Sequence, residues 1–315
     1  MEVGERVKVF TVGSIAWLGS FLLALQLGAV DHLELEFMAQ IRLPRVLTAS
    51  VVGMGLSVSG AVLQALFVNP LCEPYTLGIS SGAALGAVIG ASYGLHWMFA
   101  GLAGTAFLGA AVFAAILYLV SLRPQSKNVT LLLMGVMLSF LGSSLMALWM
   151  TLTDSNGLQG LIHWLFGDLS RARLKGAVIS GGFIFLLTLS LWRNWRELDA
   201  LLLGEEGAET LGVDVSRVRR KLILITSFMI GICVSSAGMI GFVGLVVPHF
   251  ARKLIGSLHL RLIPLCALGG AITLTLADCF SRVLIRPYEL PIGVVTALIG
   301  SPLFVWIMWV RKETV

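Results

Sequence analysis

The stretch IRLPRVL (41–47) places Arg42 and Arg45 three residues apart around Pro44, at the edge of a long apolar run. On a helix, positions i and i+3 share a face. Proline suits the first helical turn, so both cations fall at a helix N-terminus, the end where the helix dipole disfavours positive charge. Asp278 is the single acid placed inside a later apolar run, with Arg282, Arg286 and Glu289 close behind it. This outer basic set has three readings. It snorkels to lipid phosphates, it pairs with Asp278 or Glu289, or it accepts acidic groups of an external partner, where charge complementarity sets orientation and on-rate. Other chemistry is thin. No glycine is followed by lysine, so the phosphate-cradling G-x-x-x-x-G-K-[ST] loop is absent, as is H-E-x-x-H. The five histidines (His32, His96, His163, His249, His259) are scattered, and Cys72, Cys233, Cys266 and Cys279 form no C-x-x-C, which suggests neither a zinc site nor a disulfide framework. GISSG (78–82) fits G-x-S-x-G, but a nucleophile elbow needs a strand-to-helix turn. Here the string lies in a Gly/Ser-rich apolar run, where packing of small residues is the expectation.

The elements that position these residues belong in a bilayer. Of the 315 residues 57% are hydrophobic and 12% charged, against about 25% charged in soluble chains. Glycine is abundant at 35, as close helix packing in lipid requires. The net charge of +5 reads as loop charge of a membrane protein. No basic–aromatic stripe suited to nucleic acid occurs. At roughly 20 apolar residues per span, ten spans are expected, at about 9–30, 46–67, 75–93, 97–121, 129–151, 173–192, 221–239, 240–254, 262–281 and 291–310. The third and eighth are short. The first span is read as uncleaved. The chain is thus an all-α polytopic membrane protein of one domain (1–315), with halves at about 1–152 and 171–315.

Ten spans place both termini on one side. With the termini inside, fifteen Lys and Arg lie on inner segments and seven on outer ones, the arrangement favoured by the positive-inside rule. IRLPRVL then faces outward. At a constant offset of 178, Gly53 meets Gly231, Ser57 meets Ser235, Gly60 meets Gly238, Pro70 meets Pro248 and Arg42 meets Arg220. The two copies would run in opposite directions, as in transporters built on inverted repeats.

Two inner loops stand out. In LLLGEEGAETLGVDV (201–215), within the loop 193–220, Glu205, Glu206 and Glu209 fall in the first turns of a short helix, where acids are favoured. Gly212 fits its stop. Ala208 and Leu211 then form a small apolar patch, either a docking knob for a cytoplasmic partner or a solvated surface helix. In FVNPLCEPYTLG (67–78) two prolines fix a turn, and Asn69 either caps it or bonds across a pore mouth.

Taken together, RLPRVL, SGAVLQALFVNPLCEPYTLGISSGAALGA, LGEEGAETLGV, GFVGLVVPHFARKLIG, LADCFSR and ELPIGVVTALIGSPLFVWIM resemble the FecCD-type permease family, in register from about 42 to 310. These are membrane subunits of ABC importers for iron–siderophores, haem or cobalamin. The resemblance implies a type II importer permease of ten helices that works with a second copy of itself. Two cytoplasmic ABC ATPases would bind below and a periplasmic binding protein above, in the inner membrane of a bacterium. ATP and Mg would be used by the ATPase, and this chain would bind no cofactor and catalyse no bond chemistry. By position, Arg42, Arg45 and Arg282 would receive the binding protein's acids. Gly204, Glu205, Glu206, Ala208, Leu211 and Gly212 would form the coupling helix entering the ATPase. Asn69 and Leu71 would lie at the cytoplasmic gate, with a second gate near Asn128. LIHWLFGDLS departs from the family pattern in placing Asp168 after Gly167 at the outer mouth. The substrate expected first is an iron chelate, with haem, cobalamin or molybdate as alternatives.

Two other classes remain on the residues alone. A stand-alone secondary transporter also suits an inverted repeat, but such proteins carry ionisable groups near the midplane, and little beyond Asp278 is offered here. An intramembrane aspartyl protease would need a second buried Asp.

Overall fold

A computed structural model describes residues 3–27, 36, 38–93, 101–123, 128–152, 158–286 and 288–310. His32, His96, Lys127, Arg311 and Lys312 lie outside this set. Thirteen α-helices occur among the described residues: α1 (Val3–Gln26), α2 (Leu43–Leu66), α3 (Ile79–Ser92), α4 (Leu102–Ser121), α5 (Asn128–Leu152), α6 (Leu158–Leu165), α7 (Leu174–Arg193), α8 (Trp195–Leu201), α9 (Gly204–Thr210), α10 (Val215–Ala237), α11 (Val243–Ile255), α12 (His259–Val283) and α13 (Ile292–Val310). Seven are long and apolar enough to cross a membrane: α1, α2, α4, α5, α7, α10 and α12. The shorter α3, α11 and α13 lie at the other three positions where spans were expected. The expected short third and eighth are α3, of 14 residues, and α11, of 13.

The centre is α2. A wide-turn segment, Met38–Arg42, leads into it, and Pro44 sits in its first turn, where the missing N–H costs nothing. Small residues follow in a run: Gly53, Gly55, Ser57, Ser59, Gly60 and Ala61 are all buried. A helix apolar on every side belongs in a core, and 83% of the apolar window of α2 is buried, against 22% for α5 and for α7. Around α2 stand α7, α10, α11 and α12. The peripheral helices each leave an apolar face open, such as Val129, Leu133, Met137, Leu141 and Leu148 along α5.

Close approach sets the packing. A Cβ added at Gly53 would lie 2.2 Å from the Gly270 carbonyl oxygen, and one at Gly270 would lie 2.1 Å from that of Gly53. The α2 and α12 backbones therefore touch with nothing between them, the small-residue contact by which helices associate in lipid. Ser50 and Thr275 share a hydrogen bond of 3.0 Å beside this crossing. Gly60 meets Gly244 of α11 in the same way, at 2.0 Å.

The repeat is carried by the central helices. Gly53 and Ser57 in α2, and Gly231 and Ser235 in α10, are all buried. The last pairs differ locally: Gly60 is inside α2 whereas Gly238 ends α10, and Pro70 is in a loop whereas Pro248 is inside α11. GISSG begins α3 after a 3-10 turn, Pro74–Leu77, and no strand precedes it. Gly78 packs against α5, with Leu138 Cβ 2.8 Å from where its own Cβ would be. This is small-residue packing, as expected, and not a nucleophile elbow.

Gly53→Ala is expected to push α2 from α12 and cost about 1–3 kcal/mol, read as a lower unfolding temperature in detergent. Gly176→Ala in α7, where an added Cβ meets nothing within 4 Å, should leave that temperature unchanged or raise it.

Candidate functional site

Three clusters hold the residues singled out by the sequence. The first lies at the end of the bundle where α1 finishes and α2 begins. The last carbonyls of a helix lack intrahelical partners. Arg42 donates through Nη1 to the carbonyl oxygens of Leu25 (3.0 Å) and Gln26 (2.8 Å). Arg282 donates to those of Leu27 (2.7 Å) and Ala24 (3.1 Å). Both guanidinium groups thus close the C-terminal end of α1, where cations are favoured. This resolves the sequence puzzle: Arg42 sits at the unfavourable end of its own helix because it serves the favourable end of another.

Arg45 takes the second of the three readings. Its Nε donates to Asp278 Oδ1 at 2.8 Å and its Nη1 to Glu289 Oε2 at 2.7 Å. Arg282 Nη2 lies 3.0 Å from Asp278 Oδ2, off the line of a hydrogen bond. Asp278, fully buried in α12, therefore sits between two cations. Arg42 and Arg282 are 4% and 3% exposed, so in this conformation neither presents charge outward. Beside Arg45 opens a cleft of about 330 Å³ lined also by His163, Asp168, Arg171 and Glu289. Asp168, the residue that departs from the expected pattern, pairs with Arg171 at 3.3 Å.

The second cluster is α9, at the opposite end. Gly204 and Gly212 flank it with φ of +84° and +80°, a region open to glycine. Gly212 N–H bonds to Glu209 O and Val213 N–H to Ala208 O, the Schellman ending that Gly212 led us to expect. The apolar patch is corrected. Ala208 is fully buried, and the exposed apolar residues are Leu211 (63%) and Leu203 (65%). Glu206 is exposed. Glu205 turns back into the bundle: its Oε1 forms an ion pair with Arg219 Nη2 of α10 at 2.7 Å and accepts from the backbone N–H of Asn128, the first residue of α5, at 3.1 Å.

The third is the loop 67–78. Asn69 Oδ1 accepts from Leu71 N–H at 3.0 Å, so it caps its own turn, one of the two expected outcomes. Leu71 is half-exposed. Buried Gln64 ties the end of α2 to this loop and to α11, donating to Cys72 O (3.1 Å) and Gly244 O (3.2 Å) and accepting from Arg252. Burial pushes the Glu73 carboxyl up, opposed by a hydrogen bond from Phe242 N–H. Sequence reasoning missed Gln64 and Leu203. A buried amide in an apolar helix was the available signal for Gln64. His259 is structural, its buried Nδ1 lying 2.6 Å from Asp199 Oδ1. Among the described residues no group of His, Cys, Asp and Glu could hold a metal ion.

Residues 8–310 match the model of the FecCD transport family. The chain belongs to that family. It is similar to the hemin transport system permease HmuU of Yersinia pestis, 38% identical over 87% of this chain and 83% of the relative. It is similar to the vitamin B12 import system permease BtuC of Vibrio cholerae, 37% identical over 96% and 89%. A solved metal-chelate type ABC transporter in an inward-facing conformation superposes with a TM-score of 0.88 at 31% identity, over 96% of this chain and 99% of that one. As a FecCD member the chain is a multi-pass membrane permease.

Asp278→Asn removes the carboxylate between Arg45 and Arg282. A loss of about 3–5 kcal/mol is expected, as for breaking a buried pair. Glu289→Gln, at a 38% exposed side chain, should cost under about 1 kcal/mol. Thermal unfolding of both variants checks the contrast.

Proposed function

We propose that this permease is the membrane subunit of an ATP-driven ABC importer that carries a metal chelate across the bacterial inner membrane. The observation that carries the reading is the family match over nearly the whole chain. Siderophore-bound iron is the substrate argued from the sequence. The names of the two relatives favour a second reading within the same class, haem or cobalamin. Both share the chemistry of a metal held in a large organic ligand.

In this reading two copies of the chain face each other across the path, with both termini on the cytoplasmic side. Two ATPase subunits bind below, use ATP and Mg, and receive α9 and its flanks through exposed Glu206, Leu211 and Leu203. The loop holding Asn69 and Leu71, and the start of α5 at Asn128, form the cytoplasmic gate. A periplasmic binding protein docks at the opposite end. Of the three arginines read as docking groups, Arg45 has the accessible geometry: an acid of the binding protein would replace Glu289, its exposed partner, and leave Asp278 in place. Arg42 and Arg282 support this surface from inside by fixing α1. The secondary-transporter alternative is disfavoured, because Asp278, the coupling candidate the sequence offered, is held between two guanidinium groups.

Purification from native membranes through a C-terminal tag, with mass spectrometry of what comes with it, tests the reading. Recovery of an ATPase with a P-loop and a periplasmic binding protein is expected, and the molecule bound to the latter names the chelate. Recovery of the chain alone, with uptake indifferent to ATP, contradicts it.

A further inference from the structure

Helix α9 is loosely attached for an element that must transmit force. Glycines with positive φ flank it, and an added Cβ at either would meet nothing within 4 Å. Ala208 is its one buried side chain. It packs against α8 and α10. Among the described residues it is linked to α5 through Glu205, whose Oε1 pairs with Arg219 Nη2 of α10 and accepts from the Asn128 N–H. That N–H is one of the orphan donors of a helix N-terminus, and a carboxylate there is favoured by the dipole as well as by the hydrogen bond. Arg219 is 4% exposed, so the second half of the bridge is anchored inside the protein.

From α5 the connection continues. Ser139 Oγ donates to Tyr75 O at 3.2 Å. A Cβ at Gly135 would lie 2.6 Å from Thr76 O, so α5 and the segment 74–77 are in direct backbone contact. That segment closes the loop holding Asn69 and Leu71. Among the described residues one carboxylate therefore links α9 to α5, and α5 in turn packs on the segment 74–77 that ends the loop 67–78. Glu205 was expected to face outward with Glu206, which is exposed. Its side chain points the other way.

We propose that Glu205 is the positioning residue that passes displacement of α9 to α5 and, through α5, to the loop 67–78. This link rests on the importer reading above. With Glu205 in place, a pull on α9 moves the N-terminus of α5. Without it, α9 swings on Gly204 and Gly212 and α5 stays where it is.

The test uses the permease purified with its ATPase and reconstituted in lipid nanodiscs. All four native cysteines are buried, so a cysteine introduced at exposed Val129, in the first turn of α5, takes a spin label selectively. A second preparation carries the label at exposed Thr210 of α9. Spectra are compared before and after ATP, Mg and vanadate. In the otherwise unchanged protein both labels are expected to respond. In Glu205→Ala the label at 210 should still respond and the ATPase should still co-purify and hydrolyse ATP, while the response at 129 is lost. Glu205→Gln should restore part of the response at 129, because its amide oxygen still accepts from Asn128; it also serves where the alanine variant fails to fold. A response at 129 in Glu205→Ala equal to that of the unchanged protein overturns the proposal. Failure of any ATPase to co-purify with the unchanged protein overturns the importer reading beneath it, an outcome separate from the behaviour of the variants.

Discussion

A helix that ends inside a membrane protein leaves carbonyl groups that water does not reach, and the structure is organised around supplying their partners. At the end of α1 the supply is two guanidinium groups, from the residue that caps α2 and from α12. Because Arg42 and Arg282 reach the same turn from different helices, closing α1 also fixes where α2 and α12 begin and finish. Asp278 then balances the excess charge from within α12, and Arg45 completes the set. The same two helices touch backbone to backbone at Gly53 and Gly270 further along. Charge fixes their ends and the absence of side chains fixes their middle, which makes α2 and α12 the frame of the permease.

The opposite end is built on other terms. There a single, partly exposed carboxylate bridges three helices, and the element that carries it is flanked by glycines. A buried knot with several partners resists motion, whereas, in the link we propose, a bridge of one oxygen passes motion on. A transporter driven from one side needs both properties. The frame must keep its shape while the helices around it shift, and the driven end must be joined to what it moves.

Much of this was legible in the residues. Apolar run lengths marked the seven helices long enough to span and the positions of the shorter α3, α11 and α13. The ending of α9 was legible at Gly212, because one residue type satisfies a left-handed stop. The direction of side chains was not. Ala208 and Leu211 share a spacing, yet one is buried and the other exposed, because α8 and α10 cover one flank of the helix. Arg42 and Arg282 read as surface groups because their partners are the carbonyls of α1, 16 and 17 residues from Arg42 and 255 and 258 from Arg282. Backbone acceptors leave no mark in a sequence. Glu205 was placed on the correct helix and the wrong face for the same reason: the Asn128 amide is invisible until the chain is folded.

Hydrogen–deuterium exchange on the permease–ATPase complex, with and without nucleotide, tests the central claim of a fixed frame and a joined moving end. Exchange at α9 and at the first turn of α5, from Asn128 on, should change together on nucleotide binding, while α2 and α12 around Gly53 and Gly270 stay equally protected. A change at α9 with none at α5, or loss of protection at the α2–α12 crossing, would contradict it.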